Sequence, residues 1–117
     1  MNGIETNDFS SPDEVRRPDH TTVELVKLGG GQIGRYTFEP GWTWSGCIKP
    51  VVGTDSCQVE HIGYVVSGTL DVTHDDGTNK QVSSGMVYRI PGHDARVSGD
   101  QPVVVVEFQG AATYAKA

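Results

Sequence analysis

Four side chains in this chain are of the types that hold transition metals or move protons: Asp55, Cys57, His61 and His93. The first three fall within a short stretch. In an extended strand residues of equal parity share a face, so a regular strand would turn Asp55, Cys57 and His61 in one direction. A thiolate, an imidazole and a carboxylate together suit Zn²⁺ or Fe²⁺ better than Mg²⁺ or Ca²⁺, because the thiolate is a soft donor. The same residues also have an ordinary structural reading. Cys57 can be a small buried apolar residue, His61 a hydrogen-bonded core histidine, and Asp55 the cap of a turn after Gly53-Thr54. Without a metal, an imidazole at His61 beside Glu60 or Asp94 is a candidate general base near neutral pH. In His93-Asp94 the carboxylate can orient the imidazole through a ring N–H, or can simply bond its own backbone in the turn after Pro91-Gly92. His61 and His93 are therefore the candidate catalytic residues, and the parity argument fails if a one-residue bulge lies between Thr54 and His61.

A second group could form a binding surface. Trp42 and Trp44 have equal parity after the Pro40-Gly41 turn. On a strand, both indoles would line one face, either as core packing or as an aromatic wall for an apolar or planar ligand. Tyr64 and Tyr88 are candidates to extend it.

These residues must be positioned by β-structure. Short apolar runs separated by Gly, Pro, Asn and Asp predict an all-β barrel or sandwich, and no long helical period occurs. The expected strands are Val23–Leu28, Gln32–Glu39, Thr43–Ile48, Gln58–Val66, Thr69–His74, Lys80–Ser83, Val87–Ile90, Ala95–Ser98 and Val103–Gln109. Asp76-Gly77 fits a type I′ hairpin turn, Gly29-Gly30-Gly31 a hairpin or bulge, and Val103–Val106 a strand buried on both faces. Ser11-Pro12-Asp13-Glu14 has the order of a helix start, with Pro18 ending that turn at once. The reading divides the chain into an N-terminal arm (1–20), a β-barrel domain (21–110) and a C-terminal tail (111–117), frayed or ending in a short helix.

The segment from Asp55 to Leu70, with Gly85-Met86-Val87-Tyr88-Arg89-Ile90-Pro91-Gly92-His93-Asp94 after the hairpin, resembles the cupin superfamily. The resemblance covers about residues 35 to 108. It implies a double-stranded β-helix of jelly-roll type with a pocket at the barrel mouth. An apolar strand ends in Ser67-Gly68, and Gly85 is followed after five residues by Pro91, the spacing that opens the second cupin motif. In the first motif two His separated by one residue precede a Glu and then a Gly. Counting back from Gly68 puts His61 at the Glu position, and Cys57 and Asp55 at the two His positions. The second motif's His falls on Arg96 or, with a one-residue gap, on Ala95, which leaves His93 as the nearby imidazole for a fourth ligand. The resemblance thus implies an altered metal set of Asp55, Cys57, His61 and His93. Trp42, Trp44, Tyr64, Tyr88 and Arg96 are its candidate ligand-binding residues. It further implies a small-molecule-binding protein, either a metal-dependent enzyme acting on a small organic substrate in the barrel pocket or a non-catalytic ligand-binding or sensing module lacking metal. Cupins often pair edges or swap N-terminal arms, so the polar arm implies a homodimer.

Composition removes other classes. Among 117 residues, nine Lys plus Arg against fifteen Asp plus Glu give a net charge of −6, which lacks the basic footprint of a nucleic-acid protein. Fifteen glycines are roughly twice the usual share and fit turn-rich β-structure. The N-terminus has no basic region followed by an apolar run, so the expectation is a cytoplasmic protein without a membrane segment, with Cys47 and Cys57 as free thiols. No Gly-x-Ser-x-Gly elbow, dinucleotide fingerprint or phosphate loop occurs.

Overall fold

The computed structural model describes residues 3–109 and Tyr114. Among the described residues, nine strands form two facing antiparallel sheets, accompanied by two short helices. The strands are β1 (Glu14–Arg16), β2 (Thr21–Leu28), β3 (Gly31–Phe38), β4 (His61–Ser67), β5 (Thr69–His74), β6 (Asn79–Ser83), β7 (Val87–Ile90), β8 (His93–Val97) and β9 (Val103–Gln109); the helices are α1 (Trp44–Cys47) and α2 (Lys49–Val52). One sheet has the order β1-β2-β3-β9-β4-β7 and the other β6-β5-β8. Period-2 alternation builds the interior: Val23 and Leu25 from β2, Tyr36 and Phe38 from β3, and Val103 and Val105 from β9 are buried. Val104 and Val106 are only half-buried, so β9 has one buried face rather than two.

Four local expectations are corrected. The stretch after Thr43 is helical, because the Thr43 hydroxyl caps α1 by accepting from Gly46 N–H at 2.9 Å, Pro50 suits the first turn of α2, and Gly53 closes α2 at φ 82°. Residues 14–16 extend the sheet, with Asp13 N–H bonded to Leu25 C=O, so strand pairing wins over the helical turn and part of the arm belongs to the barrel wall. Gly77 alone takes positive φ in the β5–β6 turn, with His74 C=O accepting from Gly77 N–H and Thr78 C=O from His74 N–H. That is a three-residue loop with the glycine in the left-handed position, not a type I′ turn. In the tail, Tyr114 is buried in the core rather than frayed, and the rest of the tail lies outside the described residues. Both cysteines are buried free thiols. Among the described residues, no helix is long and apolar enough to cross a membrane.

Candidate metal centre

Three of the four proposed ligands meet inside the barrel. Cys57, His61 and His93 each offer a donor atom within 4.8 Å of the others, and all three are buried. Their positions come from different elements. His61 opens β4 with its side chain inward, 3% exposed. Cys57 lies in the loop before β4 and forms an isolated antiparallel bridge with His93, the first residue of β8; the bridge has Cys57 N–H to His93 C=O at 2.7 Å and the reverse bond at 3.1 Å. Backbone pairing thus fixes the thiol beside the second imidazole. Cys57 Sγ stands 3.4 Å from His61 Nε2.

Both imidazoles are oriented from behind. His61 Nδ1 donates to Glu107 Oε1 at 2.5 Å, and His93 Nδ1 donates to the Pro91 carbonyl at 2.7 Å. Each ring therefore keeps its Nε2 for the interior. An acceptor holding the far nitrogen is the usual support of a metal-bound histidine. A tetrahedral zinc with S and N ligands at about 2.3 and 2.0 Å separates those donors by about 3.5 Å, close to the spacing found between Cys57 and His61. The donor set fits a borderline-soft ion, and three protein ligands leave a position open to substrate.

Behind the histidines lies a buried acid. Glu107 accepts from His61 with one oxygen and from the Tyr88 hydroxyl with the other, at 2.5 Å. Glycine at position 63 makes this possible. A Cβ there would meet Val106 C=O at 2.6 Å, Tyr88 Oη at 2.8 Å and Glu107 Cγ at 2.9 Å. The β4–β9 register shifts between Ile62 and Gly63, at the same point.

Burial works against a charge on His61, but the bonds to Cys57 and Glu107 outweigh it and raise its pKa to about 9. His93 is pushed down to about 4 by burial and by the neighbouring His61 charge. Tyr88 is raised well above the ordinary phenol range by burial and by the Glu107 carboxylate.

The remaining space is small. Aromatic and aliphatic side chains, among them Tyr36, Phe38, Trp42, Val105 and Tyr114, surround a cavity of about 20 Å³, room for about one water. Its wall of Val72, Tyr88 and Ile90 is shared with a wider surface groove running along β6 and β7.

Other candidate residues stand elsewhere. Asp55 is fully exposed in the loop after α2, 3.6 Å from Lys49 Nζ, because β4 does not extend back to it. It does not join the other ligands. Tyr64 is half-exposed on the outer face of β4, since its parity is opposite to that of His61. Arg96 points outward from β8, 67% exposed, and bonds Asp71 Oδ2 at 3.0 Å, while Ala95 takes the inward position beside the cavity. Trp44 is buried at α1, away from the cavity lining, whereas Trp42 and Tyr88 line it. Glu107, Tyr36 and Tyr114 were missed. Glu107 has the parity of Val103 and Val105 in an otherwise apolar strand, which marks an inward carboxylate. A second trio of donors joins exposed Asp19 and His20 to buried Cys47, with His20 Nδ1 3.0 Å from Asp19 Oδ1 and 4.0 Å from Cys47 Sγ.

No protein-family model and no curated protein sequence matches this chain. Solved structures do. An ectoine synthase from P. lautus aligns with a TM-score of 0.67 at 12% identity, over 94% of this chain and 83% of its own. The polyketide cyclase RemF from Streptomyces resistomycificus aligns with a TM-score of 0.66 at 15% identity, over 93% and 80%. A cupin-like protein from Thermotoga maritima aligns with a TM-score of 0.54 at 17% identity, over 78% and 68%. These likenesses define the architecture: the chain has the cupin fold, a small all-β jelly-roll barrel.

Proposed function

We propose that this chain is a metal-dependent cupin-type enzyme acting on a small organic molecule inside the barrel. The observation that carries the reading is the buried meeting of Cys57, His61 and His93, with both imidazoles tied at Nδ1. Cys57, His61 and His93 would hold the ion, Zn²⁺ or Fe²⁺ by donor type. When bound, it supplies a Lewis acid for a substrate oxygen or nitrogen. Glu107 fixes the His61 ring with one carboxylate oxygen and holds the Tyr88 proton with the other. Phe38, Val105 and their neighbours exclude bulk water. Ectoine synthase and a polyketide cyclase share the fold, which supports chemistry on small molecules without fixing the reaction.

Metal content tests this. Untagged protein should carry close to one equivalent of zinc or iron by plasma mass spectrometry, and a folded Cys57→Ala, His61→Ala double variant should carry none. Folded wild-type protein without metal would overturn the proposal. A non-catalytic ligand-binding or sensing module lacking metal is the second reading; quenching of Trp emission by a ligand in metal-free protein, without turnover, would select it.

The homodimer expectation also stands as a proposal. Ile62, Tyr64 and Val66 of β4 lie exposed on the outer face with Val87 and Phe108, a patch that suits a second copy. A light-scattering mass of one chain, constant with concentration, would reject it. A cytoplasmic location is proposed in the same sense and is tested by fractionating cells.

A further inference from the structure

One side chain in the wall of the small cavity comes from outside the sheets. Tyr114 belongs to no helix or strand, yet it is 2% exposed. Its ring stacks on Tyr36 with centroids 4.7 Å apart and planes 12° apart. Its edges meet His61 at 5.3 Å and Phe38 at 6.5 Å, near perpendicular in both cases. Its backbone carbonyl accepts from Arg16 Nη1 of β1 at 2.6 Å. The ring is thus inserted among aromatic walls beside the candidate metal ligands, with its backbone carbonyl tied to Arg16 of β1.

A second observation points to a ligand in the same chamber. Trp42 Nε1 is buried, in a residue 2% exposed, and has no hydrogen-bond partner. Trp42 lines the cavity. An unpaired buried polar group costs about 1–3 kcal/mol, so the unpaired indole N–H in this wall marks a place where an acceptor atom of a guest is expected. A ring with an oxygen substituent would meet that need while keeping the stack on Tyr36.

We infer that the barrel binds a small phenol, and that Tyr114 occupies this phenol site in cis. The inference rests on the reading of the barrel interior as a ligand site. A phenolic ligand then binds by replacing the Tyr114 ring, keeping the stack on Tyr36 but turning its oxygen toward Trp42 Nε1, a contact that Tyr114 on its chain does not make. Removing the Tyr114 ring vacates space on the order of 100 Å³, comparable to apolar cavities that take up a benzene-sized guest.

The test is titration with p-cresol, the side chain of tyrosine as a free molecule, followed by Trp emission and thermal midpoint. Tyr114→Ala should bind p-cresol saturably, at least tenfold more tightly than wild type, and should gain thermal stability on binding. Tyr114→Phe should behave as wild type. Arg16→Ala loosens the tether without altering the chamber wall, so it should bind p-cresol severalfold more tightly than wild type, and it serves also if Tyr114→Ala does not fold. Equal affinity in wild type, Arg16→Ala and any folded Tyr114→Ala would overturn the cis occupancy. No binding to folded variants would overturn the phenol site. Metal content of the same samples separates the two readings: p-cresol binding to metal-free protein leaves the phenol site standing and removes the metal proposal.

Discussion

Glu107→Ala removes at once the acceptor of His61 Nδ1–H and of Tyr88 O–H, two donors sealed in the barrel. Each buried donor left unpaired costs about 1–3 kcal/mol, and removing one member of a buried charged pair costs about 3–5 kcal/mol. The expected loss is on the order of 3–5 kcal/mol, a large part of the roughly 5–15 kcal/mol that holds a domain together. At about 4 °C per kcal/mol for a chain of this size, the thermal midpoint should fall by roughly 12–20 °C. Glu107→Gln keeps the shape and one acceptor, so its loss should be smaller, about 1–3 kcal/mol. Urea unfolding followed through the buried Trp42 and Trp44 measures both. The same carboxylate orients a proposed metal ligand, so zinc affinity should also weaken by about 10- to 100-fold in either variant. A Glu107→Ala protein within 1 kcal/mol of wild type, with unchanged zinc affinity, would refute the reasoning.

Metal-free protein should be most stable near pH 6.5. His61 is raised to about 9 in the fold, so its contribution is full below about 6.5 and is lost as pH rises toward 9. His93 is lowered to about 4, so the unfolded chain binds the extra proton between 4 and 6.5 and stability falls as pH drops through that range. Zinc should flatten the alkaline fall by replacing the proton on His61; urea midpoints level from pH 6.5 to 9 in chelator would contradict this. Gly63→Ala should destabilise by about 1–3 kcal/mol, because its Cβ would press on Val106 C=O, Tyr88 and Glu107; a neutral result in thermal melts would show that the β4–β9 bulge yields freely. Asp55→Ala and Arg96→Ala should each stay within about 0.5 kcal/mol and leave metal content unchanged, since both side chains are exposed. A loss of metal in Asp55→Ala would return that carboxylate to the ligand set.

Much of the barrel was legible because strands advertise themselves by alternation and by glycine turns. Leu70 and Val72, alternating with Asp71 and Thr73, give β5, and the paired glycines after Leu28 give the β2–β3 hairpin. The helices were not legible from apolar pattern, since Trp42, Trp44 and Ile48 alternate as a strand would; Thr43, Pro50 and Gly53 carry the capping signal instead. The meeting of Cys57 with His61 does not come from shared parity. It depends on the bridge to His93, a long-range pairing that no local spacing encodes. The same loop path explains why Asp55 faces water. Tyr64 was misplaced by ignoring its parity relative to His61, and Tyr114 was hidden because a tail residue's burial depends on the aromatic wall it meets.

Cobalt reports most directly on the central claim, because a thiolate bound to Co²⁺ gives an intense ultraviolet charge-transfer band that a cobalt site without sulfur lacks. Metal-free protein titrated with Co²⁺ should develop that band to an end point of one equivalent. Cys57→Ser should abolish the band, and Cys47→Ser should leave it intact. No band in folded wild-type protein, or a band that survives Cys57→Ser and vanishes in Cys47→Ser, would contradict a metal centre built on Cys57, His61 and His93.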